Sequence, residues 1–237
     1  MSYTDFDRHR LRPVTPEPRS HPAATGPPKM TIIVHHLENS RSQRILWLLE
    51  ELDLAYEVKR YERDPKTMLA PPELKAVHPL GKSPVIVDNG RVIAETGAIV
   101  EYIVERAGGR LGAPGNRDAA LRYRQFLHYA EGSMMPPLLA LLVLGKLGVL
   151  GLPARKPMQA MMDTHLDWLE TELGSRPWFA GADFSAADVM MSFPIEACRS
   201  RAGLDGTRPH LIDWLERCHA RPAYGRALER GGPYAYA

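Results

Sequence analysis

Residues 78–96 constrain the fold more than any other part of the chain. Residues 85–87 (Val-Ile-Val) fit a buried strand, and residues 88–90 (Asp-Asn-Gly) are typical of a type I′ turn. Residues 91–94 fit the returning strand, and a helical pattern then runs from Thr96 to about Ala107. The sequence therefore predicts a β-β-α unit whose second strand leads directly into a helix.

The two ends of this unit predict a clamp for a small peptide. Pro84 has no N–H, and an X-Pro bond in a tight bend can be held cis, which turns the backbone of Ser83 toward a ligand. An exposed strand edge can pair with an extended peptide. The helix start at Glu95 offers free N–H groups to a carboxylate, and the Glu95 side chain can accept an ammonium. One zwitterionic end of a peptide fits there.

The segment before this unit predicts a strand, a helix and a second strand. Residues 31–35 are short and β-branched, residues 41–52 carry apolar side chains at helical spacing, and residues 56–61 alternate. A strand, a crossover helix and a strand form a right-handed βαβ unit with parallel strands. The order β-α-β followed by β-β-α is thioredoxin-like.

Beyond this half the pattern becomes helical. Residues 108–115 are rich in glycine and interrupt the pattern, and no convincing strand follows. The first predicted helix is kinked near Pro136-Pro137, and Ser185 and Asp188 have the spacing of a capping box. The predicted helices are at roughly residues 117–147, 154–174, 185–202 and 209–220.

Composition narrows the class of partner. The 30 basic and 28 acidic side chains are mixed along 237 residues, so no basic face for nucleic acid is expected. Cys198 and Cys218 lack C-x-x-C and metal-ligand spacing, so we expect a reduced, cytoplasmic protein without a metal site or disulfides. Residues 1–29 are polar and proline-rich, which predicts a disordered or loosely draped extension rather than a secretory signal. Residues 138–152 are apolar but shorter than the roughly 20 residues of a membrane helix, so we expect a buried core helix.

With this order established, the chain resembles the soluble glutathione transferases over about residues 30–225. The resemblance rests on Gly81-Lys82-Ser83-Pro84, on Glu95-Thr96-Gly97-Ala98-Ile99 and on residues 179–188 (Phe-Ala-Gly-Ala-Asp-Phe-Ser-Ala-Ala-Asp). Residues 70–75, 78–84 and 129–133 look closest to a branch shared by fungi and bacteria.

The resemblance implies an α/β thioredoxin-like N-terminal domain followed by an all-α C-terminal helical domain, the glutathione transferase architecture. It also implies a homodimer. The expected segments are an extension (1–29), a thioredoxin-like glutathione-binding domain (30–109), a linker (110–116) and an all-helical domain with a hydrophobic co-substrate site (117–237).

The resemblance also implies which residues bind glutathione. Ser83, before the cis Pro84, would offer its backbone to the cysteinyl part; many relatives carry Val there, so Ser83 departs from the pattern. Lys82 would approach the glycyl carboxylate, and Glu95 and Thr96 would hold the γ-glutamyl end. Arg41 and Pro84 complete the predicted glutathione-binding set. The alternatives are a solvated loop charge for Lys82 and an ordinary favourable helix start for Glu95 and Thr96.

The group that activates the glutathione thiol stays open between Asn39 and Ser40. In the family a Tyr, Ser or Cys near the first strand's end meets the sulfur, and residues 35–44 contain neither Cys nor Tyr. Lowering a thiol pKa of about 8.5 by ~2 units requires ~2.7 kcal/mol of preferential thiolate stabilisation. The Ser40 hydroxyl or the Asn39 amide can donate to sulfur, and Arg41 adds positive potential. Ser40 and Gln43 also have the spacing of a capping box, which would occupy the hydroxyl.

Histidines and apolar side chains complete the candidate site. Strand alternation places His35 and His36 on opposite faces, so at most one can face the sulfur, and a surface or domain-interface role is favoured. Side chains expected to wall the co-substrate pocket are Tyr123, Tyr129, Met134 and Met135.

The resemblance implies a glutathione transferase in which the thiolate attacks a hydrophobic electrophile or a peroxide. A thiol-disulfide reductase would need a cysteine near residues 39 and 40, and none is present. A non-catalytic glutathione-binding regulatory or assembly module, which binds without turnover, is the alternative.

Overall fold

Four strands form a mixed sheet at the start of the described chain, which comprises residues 31–236 of the computed structural model. They are β1 (Ile32–Leu37), β2 (Tyr56–Tyr61), β3 (Val85–Asp88) and β4 (Arg91–Ala94). Across the sheet the order is β2-β1-β3-β4, with β1 parallel to β2 and antiparallel to β3. The predicted extension at residues 1–29 lies outside the described residues.

The helices of this half are α1 (Gln43–Glu51), α2 (Glu73–Val77) and α3 (Thr96–Arg106). The β-α-β and β-β-α order is therefore confirmed, and so is the thioredoxin-like fold class. β1 ends two residues later than predicted because His36 and Leu37 continue to pair with β2, Leu37 opposite Tyr61.

The second half is helical throughout the described residues. Its helices are α4 (Arg117–Tyr129), α5 (Met135–Lys146), α6 (Leu152–Gly174), α7 (Ala186–Arg201), α8 (Pro209–His219) and α9 (Pro222–Gly231). The predicted capping box at the start of α7 is confirmed. Asp188 is fully buried and accepts hydrogen bonds from the backbone N–H of Ser185 and of Phe179, both at 3.0 Å. Burial raises the pKa of Asp188 to about 6, although these hydrogen bonds oppose the shift.

Two details of the α4–α5 region differ from the sequence prediction. The predicted kink near Pro136-Pro137 is replaced by a π-helical turn at Ala130–Met134. The two prolines lie in the first turn of α5, where their missing N–H groups are tolerated. The predicted single buried helix over residues 138–152 is wrong, because Gly148 (φ +57°) ends the helical run and a 3₁₀ turn follows. Val149 and Leu150 in that turn are 81% and 85% exposed.

The run Arg117–Lys146 is long and apolar enough, by length and composition alone, to span a membrane. Core helices of soluble proteins pass the same test, and Leu138 and Leu141 on α5 are buried against the rest of the described chain.

Helix α9 was not predicted, and its contacts with α1 join the helical half to the thioredoxin-like half. Arg221 makes a bidentate ion pair with Glu51 on α1, Nε to Oε1 at 2.6 Å and Nη2 to Oε2 at 2.8 Å. Arg226 Nε donates to Glu50 at 2.7 Å. Gly231, the last residue of α9, lies directly against α1: a Cβ atom there would meet the Gln43 side-chain oxygen at 2.6 Å.

We expect Gly231→Ala to lower the free energy of unfolding by about 1–3 kcal/mol, because the added methyl group overpacks a site where Gln43 is only 2% exposed. The matched control is Gly225→Ala on the same helix, where a Cβ atom meets nothing within 4 Å. Since alanine favours helix, this control should raise the unfolding free energy by up to about 1 kcal/mol. Urea unfolding measures both, and equal stability of the two variants would contradict close α1–α9 packing.

Candidate active site

Two adjoining cavities open where the end of β1, the loop before β3 and the start of α3 meet. The smaller cavity, about 120 Å³, is lined by all six residues predicted to bind glutathione. These are Arg41, Lys82, Ser83, Pro84, Glu95 and Thr96. The larger cavity, about 480 Å³, shares Arg41, Lys82 and Ser83 with the first and adds both Asn39 and Ser40. The two candidate catalytic residues thus lie beside the binding residues.

Ser83 lines the smaller cavity, and its side chain ties the loop before β3 to the end of β1. The Ser83–Pro84 peptide bond is cis. The Ser83 hydroxyl donates to the His35 carbonyl at 2.8 Å and accepts from the Leu37 N–H at 3.2 Å. The last antiparallel pair between β1 and β3 is His35 with Val85, so the hydroxyl takes the place of the next backbone pair. Valine has no hydroxyl, so the departure from the family pattern has a structural role here.

The backbone of Ser83 is left available by this arrangement. No other residue in positions 31–236 hydrogen-bonds to its N–H or C=O group. Two unpaired, partly exposed main-chain groups at a cavity floor are what an extended peptide needs for strand-like pairing.

The start of α3 forms the other wall. Glu95 has φ +71°, a conformation that is uncommon for a residue other than glycine and typical of functional sites. Its side chain is exposed, whereas Thr96 beside it is 5% exposed. An exposed carboxylate and a buried hydroxyl therefore meet at a helix N-terminus.

Glu131 is a cavity residue that the sequence analysis did not single out. It lies in the π-helical turn, lines the smaller cavity and forms ion pairs with Arg41 (3.1 Å) and with the buried Arg44. Burial lowers the pKa of Arg41, Glu131 raises it, and the nearby Arg44 and Arg201 lower it further. The signal in the sequence was its place in the 129–133 motif.

The Ser40 hydroxyl is tied into a buried chain of hydrogen bonds. Its oxygen lies 2.7 Å from the Ser42 hydroxyl and accepts the Ser42 N–H at 3.2 Å. Ser42 in turn lies 2.8 Å from His36 Nδ1. The predicted capping box of Ser40 with Gln43 is wrong: the buried Gln43 side-chain amide has no hydrogen-bond partner in the described residues.

The direction of the protons in this chain follows from Ser42. Its hydroxyl can donate to the Leu37 carbonyl at 3.3 Å or to His36 Nδ1 at 2.8 Å, the latter when the neutral ring carries its proton on Nε2, the side that faces Gly231. With its own proton used in either way, Ser42 accepts from Ser40. The proton of the Ser40 hydroxyl is therefore directed away from the cavity.

Asn39, unlike Ser40, has a side-chain donor that is not used within residues 31–236. Its Oδ1 atom accepts the backbone N–H of Ala235 at 2.7 Å, which leaves the amide NH₂ group as the donor. This donor has no acceptor among residues 31–236, and Asn39 lines the larger cavity. Its φ of +48° is a conformation that asparagine tolerates better than most residues.

The structure brings one of the four predicted pocket-wall residues to the larger cavity. Met135 lines it. Tyr123 lies on the buried face of α4, Met134 is buried in the core at the end of the π-helical turn, and Tyr129 hydrogen-bonds to His165. Residues that sequence reasoning missed take their place, namely Leu139, Leu142, Phe193 and Arg201.

The remaining titratable candidates lie away from both cavities. His35 Nδ1 lies 2.8 Å from the Tyr61 hydroxyl, and burial followed by the charge of Lys59 lowers the His35 pKa. Cys198 and Cys218 are buried and free, and burial raises the pKa of both thiols. Residues 31–236 contain no cluster of three or more His, Cys, Asp or Glu that could hold a metal ion.

A four-stranded mixed sheet of thioredoxin-like order, followed by a helical second half, defines the class of thioredoxin-like proteins that carry an added helical domain. Comparison with known proteins identifies the family. The models for the glutathione S-transferase N-terminal and C-terminal domains match residues 30–105 and 152–217. The chain belongs to the glutathione S-transferase family.

Two fungal relatives and a bacterial structure confirm the predicted branch, and similar proteins also occur in maize and Arabidopsis. Glutathione S-transferase 3 of Schizosaccharomyces pombe is 35% identical over 215 residues, which cover 84% of this chain and 87% of that protein. Glutathione S-transferase 1 of Saccharomyces cerevisiae is 31% identical over 222 residues, 84% of this chain and 94% of that protein. A solved glutathione S-transferase from Actinobacillus pleuropneumoniae is 34% identical with a TM-score of 0.78, covering 87% of this chain and 95% of that one.

We expect His36 to make stability depend on pH between about 6.5 and 4. Burial, with a contribution from Arg60, lowers its pKa from 6.5 to about 4, and the hydrogen bond with Gly231 opposes the shift. The unfolded chain then binds a proton that the folded chain excludes, so stability is present above pH 6.5 and lost as pH falls through this window. The gap corresponds to about 3 kcal/mol at pH 4.

Urea unfolding of wild type and His36→Asn at pH 7, 5.5 and 4 measures this effect. The stability advantage of wild type should shrink by about 3 kcal/mol toward pH 4, since asparagine does not titrate. The exposed Gln125 provides the control variant Gln125→Asn, which changes no titratable group, so its difference from wild type should stay constant. A constant difference for His36→Asn would contradict the neutral, buried ring.

Proposed function

We propose that this chain is a glutathione transferase enzyme that joins the glutathione thiolate to hydrophobic electrophiles. The observation that carries the proposal is that the smaller, polar cavity adjoins the larger, mostly apolar one at Arg41, Lys82 and Ser83, while Asn39 lines the larger cavity. A bound thiol and an apolar co-substrate would meet at this opening. Proximity and thiolate formation would then share the catalysis.

Glutathione would lie along the open edge next to the cis proline. Its cysteinyl N–H and C=O groups would pair with the backbone of Ser83, and the glycyl carboxylate would approach Lys82, which has no ion-pair partner among residues 31–236. The γ-glutamyl ammonium would meet the Glu95 carboxylate, while the adjacent carboxylate would face Thr96 at the α3 N-terminus.

The Asn39 amide, rather than the Ser40 hydroxyl, would stabilise the thiolate. A thiolate is an acceptor and needs donors, and Asn39 presents a free NH₂ group whereas the Ser40 proton is used by Ser42. The backbone N–H groups of Ser40 and Arg41 have no acceptor in the described part of the chain and add donors at the same helix start. Together with the charge of Arg41, these donors can supply the ~2.7 kcal/mol that a pKa lowered by ~2 units requires.

The same arrangement supports glutathione-dependent peroxidase chemistry, in which the thiolate attacks a peroxide oxygen instead of carbon. We further propose that the protein acts in the cytoplasm, in keeping with its two free, buried cysteines. We also propose that it is a homodimer, as is typical of its family. A non-catalytic module with the same fold would bind glutathione without lowering the pKa of its thiol.

Steady-state kinetics with 1-chloro-2,4-dinitrobenzene and glutathione test the assignment. We expect Asn39→Ala to lower kcat/KM by about 10- to 100-fold, the range for a hydrogen bond to a charged group, and Ser40→Ala by less than about 5-fold. Asn39→Asp keeps an oxygen for the Ala235 N–H but removes the donor, so it should raise the pKa of the bound thiol, read from thiolate absorbance against pH.

Calorimetry with glutathione accompanies these assays and separates binding from turnover. Both alanine variants should retain binding, because Ser83, Lys82 and Glu95 are unchanged. A larger loss in Ser40→Ala than in Asn39→Ala would reverse the assignment. Wild type that binds glutathione without turnover of this electrophile or of cumene hydroperoxide would establish the non-catalytic module.

A further inference from the structure

The larger cavity combines an apolar wall with an excess of positive charge. Met135, Leu139 and Phe193 represent its apolar side. Its cationic residues are Arg41, Arg63, Lys75, Lys82 and Arg201, and no Asp or Glu from residues 31–236 lines it. A pocket for neutral hydrophobic compounds would not need this charge, since buried or clustered cations are costly without a counter-ion.

Glutathione and Glu131 account for only part of this charge under the proposed function. Lys82 and Arg41 also line the smaller cavity, where the tripeptide's carboxylates and Glu131 lie. Arg63 uses its guanidinium on backbone carbonyls, including those of Glu38 and Met68, and has no acidic side chain within ion-pair distance among the described residues. Its charge is therefore oriented but not neutralised.

Arg201 is the cation that is best fixed for a ligand. Its guanidinium donates to the Tyr236 hydroxyl at 2.5 Å and lies 5.2 Å from the centre of that ring. Tyr236 packs edge-on against Phe193, which also lines the cavity. Both partners are neutral, and within residues 31–236 Arg201 has no acidic partner. A surface arginine that serves only solubility is not normally held by an aromatic ring and a hydroxyl.

Arg201 also lies close enough to Arg41 for the two like charges to oppose each other, which contributes to the lowered pKa of Arg41. An anion in the larger cavity would relieve this repulsion. Because Arg201 lines only the larger cavity, that anion would belong to the co-substrate rather than to glutathione.

We propose that the preferred electrophile of this enzyme is an amphipathic organic acid, with an apolar, reactive body and a carboxylate held by Arg201. This inference rests on the proposed function and specifies the substrate class of the same site. The apolar body would contact Met135, Leu139 and Phe193, and the carboxylate would form the ion pair that Arg201 lacks. The remaining end of the electrophile would face the sulfur near Asn39.

The test compares 4-chloro-3,5-dinitrobenzoate with its methyl ester. In each, the glutathione sulfur forms a bond to the chlorine-bearing carbon and chloride leaves with the bonding electron pair. We expect Arg201→Met to lower kcat/KM for the acid by about 10-fold or more and for the ester by less than about 2-fold. Arg201→Lys should retain part of the preference, and added salt should weaken it in wild type.

Arg199→Met is the matched control, since Arg199 is exposed on the same helix and lines neither cavity. It should leave both rates unchanged. If Arg201→Met lowers acid and ester rates equally, or neither, the anion site is refuted while the transferase activity stands.

A binding measurement covers the case in which wild type turns over neither compound, whether or not it turns over 1-chloro-2,4-dinitrobenzene. Calorimetry with the glutathione conjugates of the acid and of the ester then decides the anion site by itself. About 10-fold weaker binding of the acid conjugate alone in Arg201→Met supports the site, and unchanged or equally weakened binding of both conjugates overturns it.

Discussion

The hydroxyl of Ser83 replaces the backbone hydrogen bonds of a strand at the point where the pairing of β1 with β3 ends. By bonding to the His35 carbonyl and the Leu37 N–H, it completes the hydrogen bonding of β1 and leaves its own main-chain groups without partners in the described chain. An unpaired sheet edge is normally a liability, and here it lies inside a small cavity rather than on an open surface. The proposed peptide site depends on this substitution of side chain for backbone.

The C-terminal segment sets the chemistry of the site from the other side. Helix α9 packs on α1 through the Arg221–Glu51 ion pair and the close approach of Gly231. The residues that follow orient two cavity side chains, because the Ala235 N–H fixes the Asn39 amide and Tyr236 holds Arg201. The first strand, the first helix and the last few residues are therefore joined by direct contacts. Their hydrogen bonds leave Asn39 with a free donor and Ser40 with a donor that is already used.

Sequence reasoning was reliable where the determining contacts are local. The Asp-Asn-Gly turn produced the hairpin, with positive φ at Asn89 and Gly90, and the Ser185–Asp188 spacing produced the capping box, since each depends on residues a few positions apart. The prediction of six glutathione-binding residues, which the structure places around one cavity, came mainly from the family resemblance rather than from periodicity.

What the sequence could not supply depends on distant contacts. Ser40 and Gln43 have capping-box spacing, yet the Ser40 hydroxyl bonds to Ser42, which in turn bonds to His36, and α9 covers Gln43. Helix α9 is short and is separated from α8 by only two residues, so its arginine contacts with Glu50 and Glu51 could not be foreseen. Tyr129 and Met134 were assigned to the pocket wall because a π-helical turn, which changes side-chain direction, leaves no clear mark in a sequence.

A crystal structure of the full chain with glutathione bound tests the central claim most directly. The account predicts two main-chain hydrogen bonds between the cysteinyl residue and Ser83, with the sulfur about 3.3 Å from the Asn39 amide nitrogen and no contact with the Ser40 hydroxyl. A tripeptide that lies away from Ser83, or a sulfur bonded to Ser40 while the Ser40–Ser42 contact is broken, would contradict it.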